Sequence, residues 1–191
     1  MNRLKYRREC LENLREVGIR KARLLLSEFL TDSDGEYRCE AALLTLLLGS
    51  DGIPLVLPLL RDPEQFVRWH VSGHLGDLGD DTAIDPLIEV LKSDSDPQVR
   101  GQAVSALGRR RSARAIPSLL AALEKDKEVD ALGFTPSFLA AQALDDILGT
   151  QETRIKYSDG ICQMAPWEPD MESLKKRAQE CYAQWVADAR P

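Results

Sequence analysis

Apolar residues recur in short blocks at helical spacing, each closed by a glycine or an Asp-rich turn. In residues 2–17, Leu4, Leu11, Leu14 and Val17 fall near one helical face with charges between them. This predicts a first helix, ended or kinked at Gly18. Residues 19–30, IRKARLLLSEFL, predict a second amphipathic helix. Residues 31–35, TDSDG, read as a turn, because Asp and Ser side chains satisfy loose backbone groups and Gly bends freely. Residues 36–48 then predict a strongly apolar helix ending at Gly49.

The most regular stretch is residues 83–108, AIDPLIEVLKSDSDPQVRGQAVSALG, two short amphipathic helices split by an Asp-Pro turn. A shift of 32 residues aligns Leu55 with Leu87 and Leu119, Val56 with Ile88 and Leu120, and Leu59 with Leu91 and Leu123. The same shift aligns Val67 with Val99, Arg68 with Arg100, Val71 with Ala103, Leu75 with Leu107 and Gly76 with Gly108. A fixed period with apolar positions in register predicts a solenoid of stacked helical hairpins. One hairpin cannot bury its own apolar face, and stacking makes the core continuous.

Local chemistry supports this reading. Pro86 and Pro117 sit in the first turn of their helices, where a missing N–H costs nothing. Asp96-Pro97 reads as an N-cap followed by proline at the first helical position. Gly76 and Gly108 follow the last apolar residue of their helices, where a left-handed closing residue is expected. In the Leu55 copy, Asp62-Pro63 is two residues out of step with the alignment, which predicts a differently shaped turn. The third copy opens with AIPSLLAAL, then gains about nine residues before Ser137, has Ala141 in place of the arginine, and is capped by Thr135-Pro136. Arg38 stands 30 residues before Arg68, so residues 19–49 read as a degraded repeat. The predicted domain is single, spanning residues 1–191: an N-terminal cap helix (1–17), about four repeats (18–149), an irregular segment (150–169) and a C-terminal cap helix (170–191). In that last helix Leu174, Ala178, Cys181, Tyr182 and Trp185 share a face.

Charge changes the picture more than composition does. The net charge is -6, but residues 1–25 carry eight Lys/Arg against three Asp/Glu, a balance of +5, while the remainder stands at −11. An acidic body disfavours general phosphate-backbone binding and suits solubility or a basic partner. Cys10, Cys39, Cys162 and Cys181 form no CxxC pair and no disulfide framework, as expected of free thiols in a reducing cytosol. The basic N-terminus has no apolar core like that of a signal peptide, and no apolar run could span a bilayer. The expectation is a cytoplasmic, non-membrane protein.

The repeated cores AIDPLIEVLKSDSDPQVRGQAVSALG and AIPSLLAAL, with the looser GIPLVLPLLRDPEQFVRWHVSGHLG, resemble HEAT-repeat proteins, particularly the short bacterial type also seen in phycobilin lyases. The resemblance covers residues 52–149. It implies an all-α fold, a right-handed α-solenoid of the armadillo-type superhelix with terminal capping helices, whose second helices line a concave face. It also implies that Arg68 and Arg100 form a ladder paired with turn aspartates such as Asp62 and Asp96. The family includes scaffolds, chaperones, lyases and regulatory subunits.

No catalytic constellation stands out: there is no GxSxG, no glycine-rich phosphate loop and no cysteine with a histidine partner. Asp145-Asp146 reads as a solvated helix face. His70 and His74 are spaced i, i+4 and could share a metal with Asp77, Asp80 or Asp81. Against this, His74 occupies the small-residue site of Ala106 and is expected to pack against the next hairpin. The iron-binding HEAT-like hydroxylases use His-Glu pairs, which this chain lacks. The resulting expectation is no metal and no cofactor.

Binding is the better-supported chemistry. With Val67, Val71 and Leu75 in the core, Trp69, Gly73 and Gly76 are expected to share another face, an exposed aromatic platform. Arg109, Arg110, Arg111 and Arg114 form a dense basic cluster, placed by the pattern in a loop between repeats. It suits a phosphate or an acidic segment, or complements the helix dipole. The candidate partner-binding residues are Trp69, His70, Gln102, Ser105 and these four arginines. The function expected is a non-catalytic protein-interaction scaffold. The alternatives are an immunity or inhibitor protein for a basic toxin, and a bilin lyase-like enzyme; nucleic acid is disfavoured and a small molecule stays open.

Overall fold

The computed structural model describes residues 3–126, 136–149, 157–158, 161–162 and 171–189, with backbone alone for 3–7, 157–158 and 161–162. The chain forms two compact units, Met1–Pro86 and Leu87–Pro191. The described regular structure is helical except for one antiparallel pair of two-residue strands, Tyr157–Ser158 and Ile161–Cys162. That pair lies in the segment expected to be irregular, whose other residues, like Thr135 and the insertion before Pro136, fall outside the described set. No described helix is long and apolar enough to cross a membrane.

The first unit holds α1 (Arg3–Glu16), α2 (Ile19–Phe29), α3 (Gly35–Leu47), α4 (Ile53–Val56) and α5 (Gln65–Leu78). Gly18 and Gly49 take positive φ, 88° and 120°, at the joints where the pattern places chain breaks. α2 packs on α3, and α3 on α5. α4 stops after four residues and continues as a 3-10 turn, Leu57–Arg61. Pro58 accounts for this, since its ring displaces the carbonyl four residues back and it has no N–H to donate.

This irregular helix corrects the repeat register. Ile53, Val56 and Leu60 are buried, as are Ile84, Leu87 and Leu91. From α4 to the next first helix the buried positions therefore repeat at 31 residues, whereas Ile84, Leu87 and Leu91 keep the 32-residue spacing to the buried Ile116, Leu119 and Leu123. Leu55, aligned with Leu87 by the 32-residue shift, is exposed. From the turn onward the shift is 32: Val67, Val71 and Leu75 are fully buried, as are Val99, Ala103 and Leu107. The α4–α5 hairpin is thus one residue shorter at this point, seven positions from Leu60 to Val67 against eight from Leu91 to Val99, and the 3-10 segment, which rises further per residue, makes up the span.

α6 (Ile84–Ser93) carries the chain across the boundary between the units. The second unit continues with α7 (Pro97–Arg110), α8 (Ile116–Lys125), α9 (Pro136–Leu148) and α10 (Met171–Asp188). α9 packs on α7 and α8, and α10 lies on α8 and α9. Of the apolar face expected on α10, Leu174 and Ala178 are buried, Cys181 and Tyr182 are half-buried, and Trp185 is exposed and stacked on Tyr182.

The hairpin turns share one construction. In the first, Asp32 accepts the Asp34 N–H at 2.8 Å, and Asp34 caps α3 by accepting the Glu36 N–H at 2.8 Å. Asp94 and Asp96 repeat this, at 3.0 Å to the Asp96 N–H and 2.8 Å to the Gln98 N–H. An arginine four residues after the second acid then spans the turn. Arg38 donates Nη1 to the Asp32 and Ser33 carbonyls, Arg68 to those of Asp62 and Pro63, and Arg100 to those of Asp94 and Ser95.

The other edge of the guanidinium faces the next turn in sequence. Arg38 grips Asp62 with Nε and Nη2 at 2.7 and 2.8 Å, and Nη2 also reaches Glu64 at 2.8 Å. Arg100 grips Asp126 in the same two-pronged way, at 2.5 and 2.9 Å. This corrects the expected ladder. The carboxylate of Asp62, expected to serve Arg68, is held by Arg38 of the preceding hairpin, and Arg100 takes Asp126 of the next turn; Asp96 also caps α7. Residues 19–49 are not degraded in this respect, since Arg38 uses all five of its N–H groups.

Two expectations about glycines also change. Gly76 and Gly108 lie inside α5 and α7 and are buried, rather than closing them in left-handed form. A side chain on Gly108 would come within 2.9 Å of the Ala143 Cα and Cβ, so its role is close approach of α7 to α9. The left-handed residue closing α7 is Arg111, at φ 49° and ψ 35°.

Arg38 and Asp62 are both buried, and removing one leaves the other without its counter-charge. Arg38→Ala should therefore cost about 3–5 kcal/mol in urea unfolding, and Arg38→Met with Asp62→Leu should recover most of that loss. Gly108→Ala should cost about 1–3 kcal/mol, because Ala143 backbone cannot easily yield.

Candidate interaction surfaces

In the first unit, α5 turns Val67, Val71 and Leu75 inward and leaves an aromatic cluster on its outer side. Phe66 and Trp69 are 44% and 36% exposed, large apolar surfaces left in solvent. His70 is half-buried between them, its ring meeting Phe66 edge-on at 4.4 Å and Trp69 at 4.8 Å. Trp69 is exposed, but the face it shares is not the one expected: its ring neighbour is His70. Gly73 and Gly76 are buried, and the third member of the cluster is Phe66. The spacing of Phe66 four residues before His70 was the available sign, since i, i+4 residues meet on a helix.

The His74 ring lies 5.9 Å from that of His70. Asp80 accepts the Thr82 N–H at 2.9 Å, and Asp77 is exposed. Among the described residues no group of three or more His, Cys, Asp or Glu gathers as a metal site would require.

In the second unit, Gln102 and Ser105 are half-buried on α7. With Gln98 and Arg109 they follow helical spacing, so the four share one stripe. The basic cluster is not a loop. Arg109 and Arg110 form the last turn of α7, Arg111 closes it, and Arg114 lies in the 3-10 turn Ala113–Ala115. Arg109, Arg111 and Arg114 are exposed and Arg110 half-buried, with its Nε enclosed and lacking a hydrogen-bond partner. On α9, Asp146 is exposed but Asp145 is 2% exposed, so the expected solvated carboxylate pair is split between core and surface.

Among the described cysteines, Cys39 has a strongly perturbed thiol. Cys39 is buried beside Arg38, and burial, followed by the Asp62 carboxylate, pushes its pKa from 9.0 up to about 11. The protonated thiol is favoured in the fold, so this contribution to stability is present below pH 9 and lost as the pH rises to about 11.

These features define an all-α protein of helical-hairpin repeats, in the α-solenoid class. Residues 53–132 match the family model for HEAT repeats. Two solved structures, both described as engineered proteins, are similar in fold. One gives a TM-score of 0.52 at 19% identity, covering 91% of this chain and 84% of its own. The other gives 0.51 at 18% identity, covering 90% of this chain and 49% of its own, so this chain spans about half of that protein. No curated protein matches the sequence.

Native-state labelling with a thiol reagent at pH 8, read by peptide mass spectrometry, should modify Cys10 and Cys181 and spare Cys39 until urea opens the fold.

Proposed function

We propose that the protein is a non-catalytic interaction module that binds another protein through its second helices. The exposed cluster of Phe66, Trp69 and His70 on α5 carries this reading, with Gln102 and Ser105 on α7 offering polar contacts of the same helical class. Interface anchors are typically aromatic, because a large rigid ring gains much contact area while losing little conformational entropy. Here a histidine meets both rings edge-on, which fixes their orientation before a partner arrives. HEAT repeats across residues 53–132 fit a binding scaffold as the general class.

The test is affinity capture with the wild-type chain, then direct titration of each recovered partner. Phe66→Ala with Trp69→Ala should weaken binding by at least tenfold with helix content by circular dichroism unchanged. Equal affinity of wild type and double variant for every recovered partner would reject the α5 surface.

A further inference from the structure

From Pro97 to Leu123 the sequence contains no Asp or Glu, although the chain carries 31 of them. The same stretch has five arginines: Arg100, Arg109, Arg110, Arg111 and Arg114. Arg100 is consumed by the Asp126 grip. The other four gather within six residues at the end of α7.

A helix C-terminus attracts one or two cations, so dipole complementarity explains part of this cluster. It does not explain Arg111. Closing residues in the left-handed region are usually glycine, because a Cβ there crowds the following carbonyl. Arg111 is the one non-glycine residue with positive φ among those described, at 49°. An arginine in this conformation, with its side chain exposed, costs stability relative to glycine. The Arg110 Nε is a second cost, since it is shielded from solvent without a hydrogen-bond partner. Arg109 and Arg114 make interactions of their own within the protein, so the unspent donors lie on Arg110 and Arg111.

We propose that the end of α7, with Arg110 and Arg111 as its principal donors and Arg109 and Arg114 at its rim, is a docking site for an acidic peptide segment of a partner protein. Charge complementarity selects the ligand, since planar guanidinium groups pair with carboxylates through two parallel hydrogen bonds. The negative end of the α7 dipole offsets repulsion among the arginines while the site is empty. A nucleic acid fits less well. Its continuous phosphate track needs an extended positive field, and outside residues 1–25 the chain stands at −11. The site lies wholly in the second unit and does not depend on the aromatic surface of α5.

Fluorescence anisotropy with a labelled octaglutamate peptide tests this, with octalysine and a ten-nucleotide oligothymidylate as comparison probes. Octaglutamate should bind the wild-type chain at low salt and weaken as salt rises, octalysine should not compete, and the oligonucleotide should bind at least tenfold more weakly. Arg110→Gln with Arg111→Gln should reduce octaglutamate affinity at least tenfold, whereas Trp69→Ala should leave it unchanged, separating this site from the α5 reading. Arg111→Gly should raise the thermal midpoint while weakening the peptide. Failure of octaglutamate to bind, equal affinity in the Arg110/Arg111 variant, or tighter binding of the oligonucleotide would each overturn the proposal. An Arg111→Gly variant that is no more stable would overturn the strain argument on which it rests.

Discussion

The repeated helical hairpins depend on an arginine that faces two turns at once. One edge of its guanidinium holds the carbonyls five and six residues back, fixing the turn that opens its own helix. The other edge takes the acid at the next turn, as Arg38 takes Asp62 and Arg100 takes Asp126. A lysine could not do this, because a single ammonium has neither the fixed fork nor two separated edges. The ion pair is costly to bury and is justified by geometry, since every donor of Arg38 is matched. Apolar packing supplies most of the cohesion, and the arginines set the register in which that packing occurs.

The sequence made this architecture legible because repetition amplifies weak signals. Val67, Val71 and Leu75 could be assigned to the core because Val99, Ala103 and Leu107 stand at the same positions. The failures came where one copy differs. Pro58 rewinds the start of its hairpin and shifts the register by one, which a fixed shift of 32 residues cannot represent. The direction of the arginine grip was also hidden, because a period shows that positions are equivalent but not which neighbours they meet. The repeated DSD of residues 32–34 and 94–96 was the overlooked sign that the first hairpin retains the full turn.

The candidate surfaces were less legible than the core. Trp69 and His70 depart visibly from the repeat, whereas Phe66, beside the core position Val67, carries no such mark in the sequence. Gly76 and Gly108 were misassigned for a physical reason: closing a helix and admitting a neighbouring helix both favour the absence of a side chain, and only coordinates distinguish them. The arginines after Gly108 were consequently placed in a loop when two of them continue the helix.

The turn-spanning contact also acts as a ruler for the turn. Because the guanidinium must reach carbonyls five and six residues before it, a hairpin that keeps its arginine cannot lengthen its turn without losing the contact. The third copy has Ala141 at that position, and it is there, between Asp126 and Ser137, that the chain has accepted added residues. The Ser137 N–H still meets the Asp126 carbonyl at 3.1 Å, so the longer excursion leaves and rejoins the scaffold at nearly one point. Where the arginine is missing, that constraint on turn length is missing too, and α8 and α9 still pack together on either side of the added residues.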